Sequence, residues 1–325
     1  MTPNPFTERA LGFVLRILCI WCIALAIPSI AVAAPEIHPL HFAFGDFATE
    51  RQVPVALLVT VKLDGRDCSV QLDTGVSHAF IPHGSVLGSE PYSAEVFVEL
   101  GSLRRAFPVS AEAKTLLANC TEGLAVATLG NGFFDQGSIT LDLPSRSLTV
   151  EDAPILKNDA SAQAFRYAKW WGGSGGLVLI SVERTGALPT EAMLDTGAVR
   201  LELGVLDQGT WTALADPTAA VSEFSVQSWG QSIKCTQAPA RWPLALAGQS
   251  PAKPTLTYCP AMEFKPAQPI LGILGLRGFL KSRLIIDYPS MRWRVLESSP
   301  CPPAGSSPSR RSARAVGISS PVSPP

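Results

Sequence analysis

Charge is scarce in this chain. Of its 325 residues only 16% are Asp, Glu, Lys or Arg, against about a quarter in an average domain. The 26 basic and 27 acidic residues leave a formal net charge of −1. A near-neutral chain offers no field for a polyanion, so no nucleic-acid partner is expected. Histidine is scarcer still. His38, His41, His78 and His83 are the four, and none is matched by Cys or carboxylates at metal-ligand spacing, so no metal and no other cofactor is expected. Long apolar periodicities of helical type are few, which argues against a bundle of helices. No nucleophile elbow occurs, because Ser174 sits inside the glycine run Gly172 to Gly176, which reads as linker. A phosphate-cradling glycine loop is absent as well.

Turn-forming residues, by contrast, are plentiful, with 26 Gly and 28 Pro. Together with short apolar runs they favour a strand-rich fold, and the length allows two domains with cores of their own. The N-terminus has the order of a secretory signal. Arg9 and Arg16 flank the start of an apolar stretch from Ile17 to Ile27, and Ala31-Val32-Ala33 follows. Cleavage is expected after Ala33, giving an exported protein, periplasmic or secreted, with no membrane attachment in the mature form. An uncleaved membrane anchor is the competing reading, since Leu11 to Ala34 is long enough to span a bilayer. Cys19 and Cys22 leave with the signal. Of the remaining five cysteines, the simple assignment in an oxidising compartment is Cys68–Cys120 and Cys235–Cys259, with Cys301 free. Buried free thiols are the alternative.

The tripeptide Asp-Thr-Gly occurs twice, at Asp73-Thr74-Gly75 and Asp195-Thr196-Gly197, each time closing an apolar run. Val59 to Leu63, the turn pair Asp64-Gly65 and Cys68 to Leu72 precede the first as a hairpin signal. Val178 to Val182, Thr185-Gly186 and a strand ending at Leu194 precede the second. Downstream, Thr128-Leu129-Gly130 answers Ile273-Leu274-Gly275. Asp142-Leu143-Pro144-Ser145 then answers Asp287-Tyr288-Pro289-Ser290. So many landmarks in one order mark an internal duplication, with a longer insert in the second copy. Two carboxylates brought face to face cannot both ionise easily, and a pair sharing one proton can activate water.

These residues resemble those of the aspartic proteases. The arrangement is pepsin-like in carrying two lobes on one chain and retroviral-protease-like in the small size of each lobe. Asp73 to Pro82, with Phe80 and its closing proline, is similar to the pepsin-type active-site stretch. The likeness covers about residues 50 to 297. It implies an all-β fold of two similar β-barrel-like lobes of acid-protease type, with the active-site cleft between them. It implies Asp73 and Asp195 as the catalytic pair. Thr74 and Thr196 would bond across to the opposite loop, and Gly75 and Gly197 would let backbone N–H groups approach the carboxylates. A polypeptide substrate and a monomeric enzyme follow. Val76 and Ala198 stand where pepsin-like enzymes carry a hydroxyl.

The expected organisation is a signal peptide at 1–33, a lead-in at 34–50 and a first lobe at 51–150. A connection at 151–176, a second lobe at 177–297 and a disordered tail at 298–325 complete it. A hairpin follows each triplet, with tips at Gly101 and at Trp229-Gly230. In the resembled family such a hairpin is a flap over the cleft, which makes these three residues flap candidates; for at least one copy an ordinary surface hairpin is the better reading. Two other functions stay open: a catalytically silent peptide-binding protein of the same fold, and a membrane-anchored processing protease.

Overall fold

The computed structural model describes residues 35–47, 50–84, 92–120, 124–169, 173–184, 188–228, 231–246, 249, 252–262 and 269–297. The expected signal segment, the hairpin tip Trp229-Gly230 and the tail with Cys301 lie outside these residues.

The described chain is all-β. In its first half the strands are β1 (Glu36–Gly45), β2 (Val53–Leu63), β3 (Arg66–Leu72), β4 (Phe80–Pro82), β5 (Ala94–Leu100), β6 (Leu103–Val109), β7 (Ala127–Leu129), β8 (Ser138–Asp142) and β9 (Ser147–Glu151). The second half carries β10 (Gln163–Lys169), β11 (Gly176–Arg184), β12 (Thr190–Leu194), β13 (Leu203–Val205), β14 (Ser222–Ser228), β15 (Gln231–Pro239), β16 (Leu244–Leu246), β17 (Thr255–Tyr258), β18 (Gly272–Leu274), β19 (Ser282–Asp287) and β20 (Arg292–Glu297). Three short helices are described: α1 (Ala111–Leu117), α2 (Asn131–Phe134) and α3 (Gln208–Leu214). No helix among the described residues is long and apolar enough to cross a membrane.

Register makes the duplication exact in three dimensions. β3 runs parallel to β7, with Gln71 opposite Thr128 and Leu72 opposite Leu129. Likewise β12 runs parallel to β18, with Met193 opposite Ile273 and Leu194 opposite Leu274. β4 then lies antiparallel on β7, as β13 does on β18. The turn pair Asp64-Gly65 has positive φ at both residues, 47° and 82°, the backbone that joins two twisted strands most tightly. The turns opened by Asp142 and Asp287 are also repeated, down to a left-handed residue after each, Arg146 at 54° and Met291 at 51°.

One sheet is shared between the halves. Its strand order is β1-β9-β8-β19-β20-β10, with β8 and β19 antiparallel at the centre. The outer strands β1 and β10 also pair with β2 and β11, so the ladders continue into each lobe. Residues 36–45, within the stretch whose mixed composition reads as a lead-in, are therefore an integral strand. Residues 163–169, within the expected connection, are its counterpart. Their patterns hide this because both faces are partly covered and neither alternates cleanly. The longer insert of the second half holds β16 and β17, where the first half has α1. Trp293, Leu141, Leu148, Leu284 and Ile286 fill the core of the shared sheet, each at most 1% exposed.

Both expected disulfides are present, Cys68–Cys120 and Cys235–Cys259. The first closes the larger loop, with a sequence separation of 52 against 24. Chain-entropy reasoning gives roughly 4 kcal/mol for the first and roughly 3.5 for the second. Cys68→Ala with Cys120→Ala should therefore cost roughly 2–4 kcal/mol in urea unfolding, and at least as much as removing the second bridge.

Candidate functional site

β3 alternates inward and outward and buries Val70 and Leu72, while β12 buries Ala192 and Leu194 in the same continuous core and Met193 in a smaller cluster on its other face. Each strand then stops, and the Asp-Thr-Gly loop turns under its neighbour. Asp73 N–H donates to Leu129 O at 2.9 Å, and Asp195 N–H to Leu274 O at 2.9 Å. Gly130 and Gly275 are glycines because these loops press on them. A methyl group at Gly275 would lie 2.5 Å from Leu201 O and closer still to Ala198 O, and one at Gly130 would run into His78 O and Val76 O.

The two loops lock together through their threonines. Thr74 Oγ1 donates to Leu194 O at 2.9 Å and accepts from Thr196 N–H at 3.0 Å. Thr196 Oγ1 donates to Leu72 O at 2.9 Å and accepts from Thr74 N–H at 2.9 Å. Both side chains are buried, at 1% and 0% exposure. Four satisfied bonds across the halves fix the distance between the loops.

That register brings Asp73 and Asp195 side by side. Gly75 N–H donates to Asp73 Oδ1 at 2.9 Å; Gly197 and Ala198 N–H donate to Asp195 Oδ1 at 2.8 and 3.1 Å. A methyl group at Gly75 would lie 2.5 Å from the Asp195 carboxyl carbon, and one at Gly197 would collide with the Asp73 carboxylate. The glycines are thus set by the opposite aspartate, a requirement no local turn rule imposes. Both carboxyls are half-buried. Burial pushes the Asp73 carboxyl well above the usual carboxylate range, and the neighbouring Asp195 charge adds to it. Burial also raises Asp195, offset by the hydrogen bond from Asp73 and by the backbone amides. The pair therefore holds one proton at a pH where isolated carboxylates have none.

The pair lies in a cleft of about 550 Å³ lined by both loops. Val55 and Ala56 of β2 line one side, and Val226 of β14 and Met262 line the other. Arg200 also reaches the cleft. Its guanidinium bonds Glu50 at 2.6 Å and Ser225 O, and lies over the rings of Phe47 and Phe224. It ties the segment before β2 to the second hairpin. Among the described residues no three His, Cys, Asp or Glu side chains gather at metal-binding geometry.

The flap candidates fare unequally. Gly101, with φ 60°, closes the turn between β5 and β6, and a methyl group there would lie 2.6 Å from Glu36 Oε2 and 2.9 Å from His38 Nε2. Its hairpin tip packs on β1 rather than lining the cleft, which corrects that expectation for Gly101. Trp229 and Gly230 are outside the described residues, although Val226 on the same hairpin does line the cleft.

Two supports escaped the sequence reading. Asn131, fully buried, donates through Nδ2 to Thr74 O at 2.5 Å and accepts from Tyr288 Oη at 2.7 Å. Tyr288 comes from the other half, inside the Asp-Tyr-Pro-Ser repeat. The glycine run is the second. Ser174 Oγ accepts from Ala79 N–H at 2.8 Å and Gly175 N–H donates to Ser77 O at 2.9 Å. Here glycine serves close approach, since a methyl group at Gly175 would meet Gly132 Cα at 2.6 Å. Residues 173–176 are thus part of the packing behind the first loop, not a linker.

No family model and no curated protein matches the chain. Among solved structures it is similar to an aspartic proteinase from Irpex lacteus, at 13% identity and a TM-score of 0.38, over 82% of this chain and 98% of that one.

Proposed function

We propose that the protein is an exported aspartic endopeptidase. The carrying observation is the crossed threonine bonding that holds Asp73 and Asp195 together, each buttressed by the glycine of the opposite triplet. Such a pair suits direct attack by water. The singly protonated dyad binds a water molecule between its carboxyls. One carboxylate takes a proton from that water while the other donates its proton to the peptide carbonyl. No covalent enzyme intermediate forms. The two disulfides suit an oxidising compartment, and the native N-terminal residue, Ala34 or Met1, separates a cleaved signal from an anchor. Residues 51–150 and 177–297 serve as the two lobes of a monomer.

Digestion of a mixed peptide library by the purified protein, read by mass spectrometry, tests the activity. Internal cleavage supports it. Intact peptides with an intact fold would leave a catalytically silent peptide binder.

The pH profile follows from the raised dyad. Activity needs one proton on the pair. It is lost at high pH as the raised group ionises, and at low pH as Asp195 takes the second proton. Val76 and Ala198 have no hydroxyl to stabilise the charged form, so both limbs should lie above those of a dyad bonded by such hydroxyls. The expected optimum is mildly acidic to near neutral, and Ala198→Thr or Val76→Ser should move it toward acid. A strongly acidic optimum in kcat/KM that neither substitution moves would contradict this.

A further inference from the structure

The two halves present different chemistry at equivalent positions beside the two aspartates. In the first half Gln71 and Thr128 lie side by side on β3 and β7, and His83 directly follows β4. In the second half the same three register positions hold Met193, Ile273 and Leu206. Those three pack on one another in an apolar cluster that closes its own surface. The polar three instead face the cleft, together with Val55 and Ala56.

The hydrogen bonds within the polar wall show what it leaves for a ligand. His83 Nδ1 lies 2.9 Å from Ala125 O, which needs a proton on that nitrogen. His83 Nε2 then accepts from Thr128 Oγ1 at 3.0 Å. Both ring nitrogens are satisfied with the imidazole neutral, and burial holds its pKa below the usual value. Gln71 is different. Its Nε2 donates to Asp73 Oδ2 at 3.3 Å, while Oε1 and the second N–H have no partner among the described residues. A half-buried carboxamide thus points one acceptor and one donor into the cleft beside the reacting pair.

We propose that Gln71, backed by the His83–Thr128 pair, is a specificity-determining residue that selects a neutral hydrogen-bonding side chain, above all a carboxamide, in the peptide segment lying on the Asp73 side of the cleft. Its own amide is complementary to another amide, donor to acceptor and acceptor to donor. An acidic side chain is disfavoured there by the negative charge of the singly protonated dyad. An apolar side chain of equal size leaves Gln71 desolvated without a partner, the situation in which hydrogen-bonding sites discriminate most strongly.

The proposal rests on the endopeptidase reading, so its test has two arms. In the first, a peptide series varying one position among Gln, Asn, Leu, Met and Glu is scanned along the scissile bond. Wild type is expected to favour Gln or Asn over Leu or Met at one position by on the order of tenfold in kcat/KM. Gln71→Met, the residue of the equivalent second-half position, should abolish or invert that ratio, while Gln71→Asn retains the sign. Equal cleavage of amide and apolar peptides by wild type, or a ratio unchanged in Gln71→Met, overturns the inference and leaves the protease reading intact. If no peptide is cut, the protease reading falls and the second arm decides. The same series with reduced, uncleavable peptide bonds is titrated by fluorescence polarisation. An amide preference that disappears in Gln71→Met sustains the subsite; its absence removes it.

Discussion

Asp73→Asn and Asp195→Asn should each reduce peptide hydrolysis by roughly ten-thousandfold, with the double variant no worse than either single one. The carboxylates share one proton and act as a unit, so the second substitution removes nothing further. Stability should move the other way. The folded-state pKa of Asp73 is raised well above its unfolded value, chiefly by burial. Such a group contributes most to stability below the unfolded pKa, and that contribution is lost as pH rises through the folded pKa. An amide does not ionise. At neutral pH and above, Asp73→Asn should therefore be at least as stable as wild type, and its stability should depend less on pH. Paired urea melts and kcat/KM measurements across pH check both statements. Substantial activity in either single variant would sink the mechanism, and marked destabilisation at neutral pH would mean the carboxylate is mainly structural.

Thr196→Val should have the largest effect on stability among the site residues. The threonine hydroxyl donates to Leu72 O and accepts from Thr74 N–H, all at full burial. Valine keeps the shape and leaves both backbone groups unpaired. Each orphaned group costs about 1–3 kcal/mol, so roughly 2–5 kcal/mol is expected. That is a large share of the roughly 5–15 kcal/mol that holds a typical protein folded. Thr196→Ser, which keeps the hydroxyl, should recover most of it. Thr74→Val should behave alike because its bonds mirror these. Each valine variant should also lose activity, since the loops that carry the carboxylates are no longer held in register. Urea unfolding of the three variants decides the matter. A Thr196→Val protein as stable as wild type would show that the crossed bonds contribute little.

The sequence by itself determined the repeat. Paired Asp-Thr-Gly triplets, apolar-Gly steps and the Asp-Leu-Pro-Ser and Asp-Tyr-Pro-Ser turns are short motifs that recur in one order, so they are legible along the chain even where distant contacts impose their glycines. They sufficed for the β class and for singling out the two aspartates. The crossing of the threonines is only implied by the resemblance, and the pairing of four cysteines stands beside the alternative of free thiols until the structure shows both. Tertiary structure alone decided the rest. β1 and β10 become strands because β2 and β9, and β11 and β20, offer them partner edges, which no alternation within either segment reveals. Glycine at residues 173–176 signals flexibility and close packing equally, and only the proximity of Gly132 and Ser77 selects packing. The Asn131–Tyr288 bond joins residues from opposite halves, so no spacing rule could pair them. Gly101 satisfies the rule for a hairpin tip, yet where that tip points depends on β1 beneath it. Gln71, Thr128 and His83 are unremarkable in sequence because they meet only when β3, β4 and β7 align. Their distinct chemistry then emerges from comparison with Met193, Ile273 and Leu206, the same three places filled by side chains that make no hydrogen bonds.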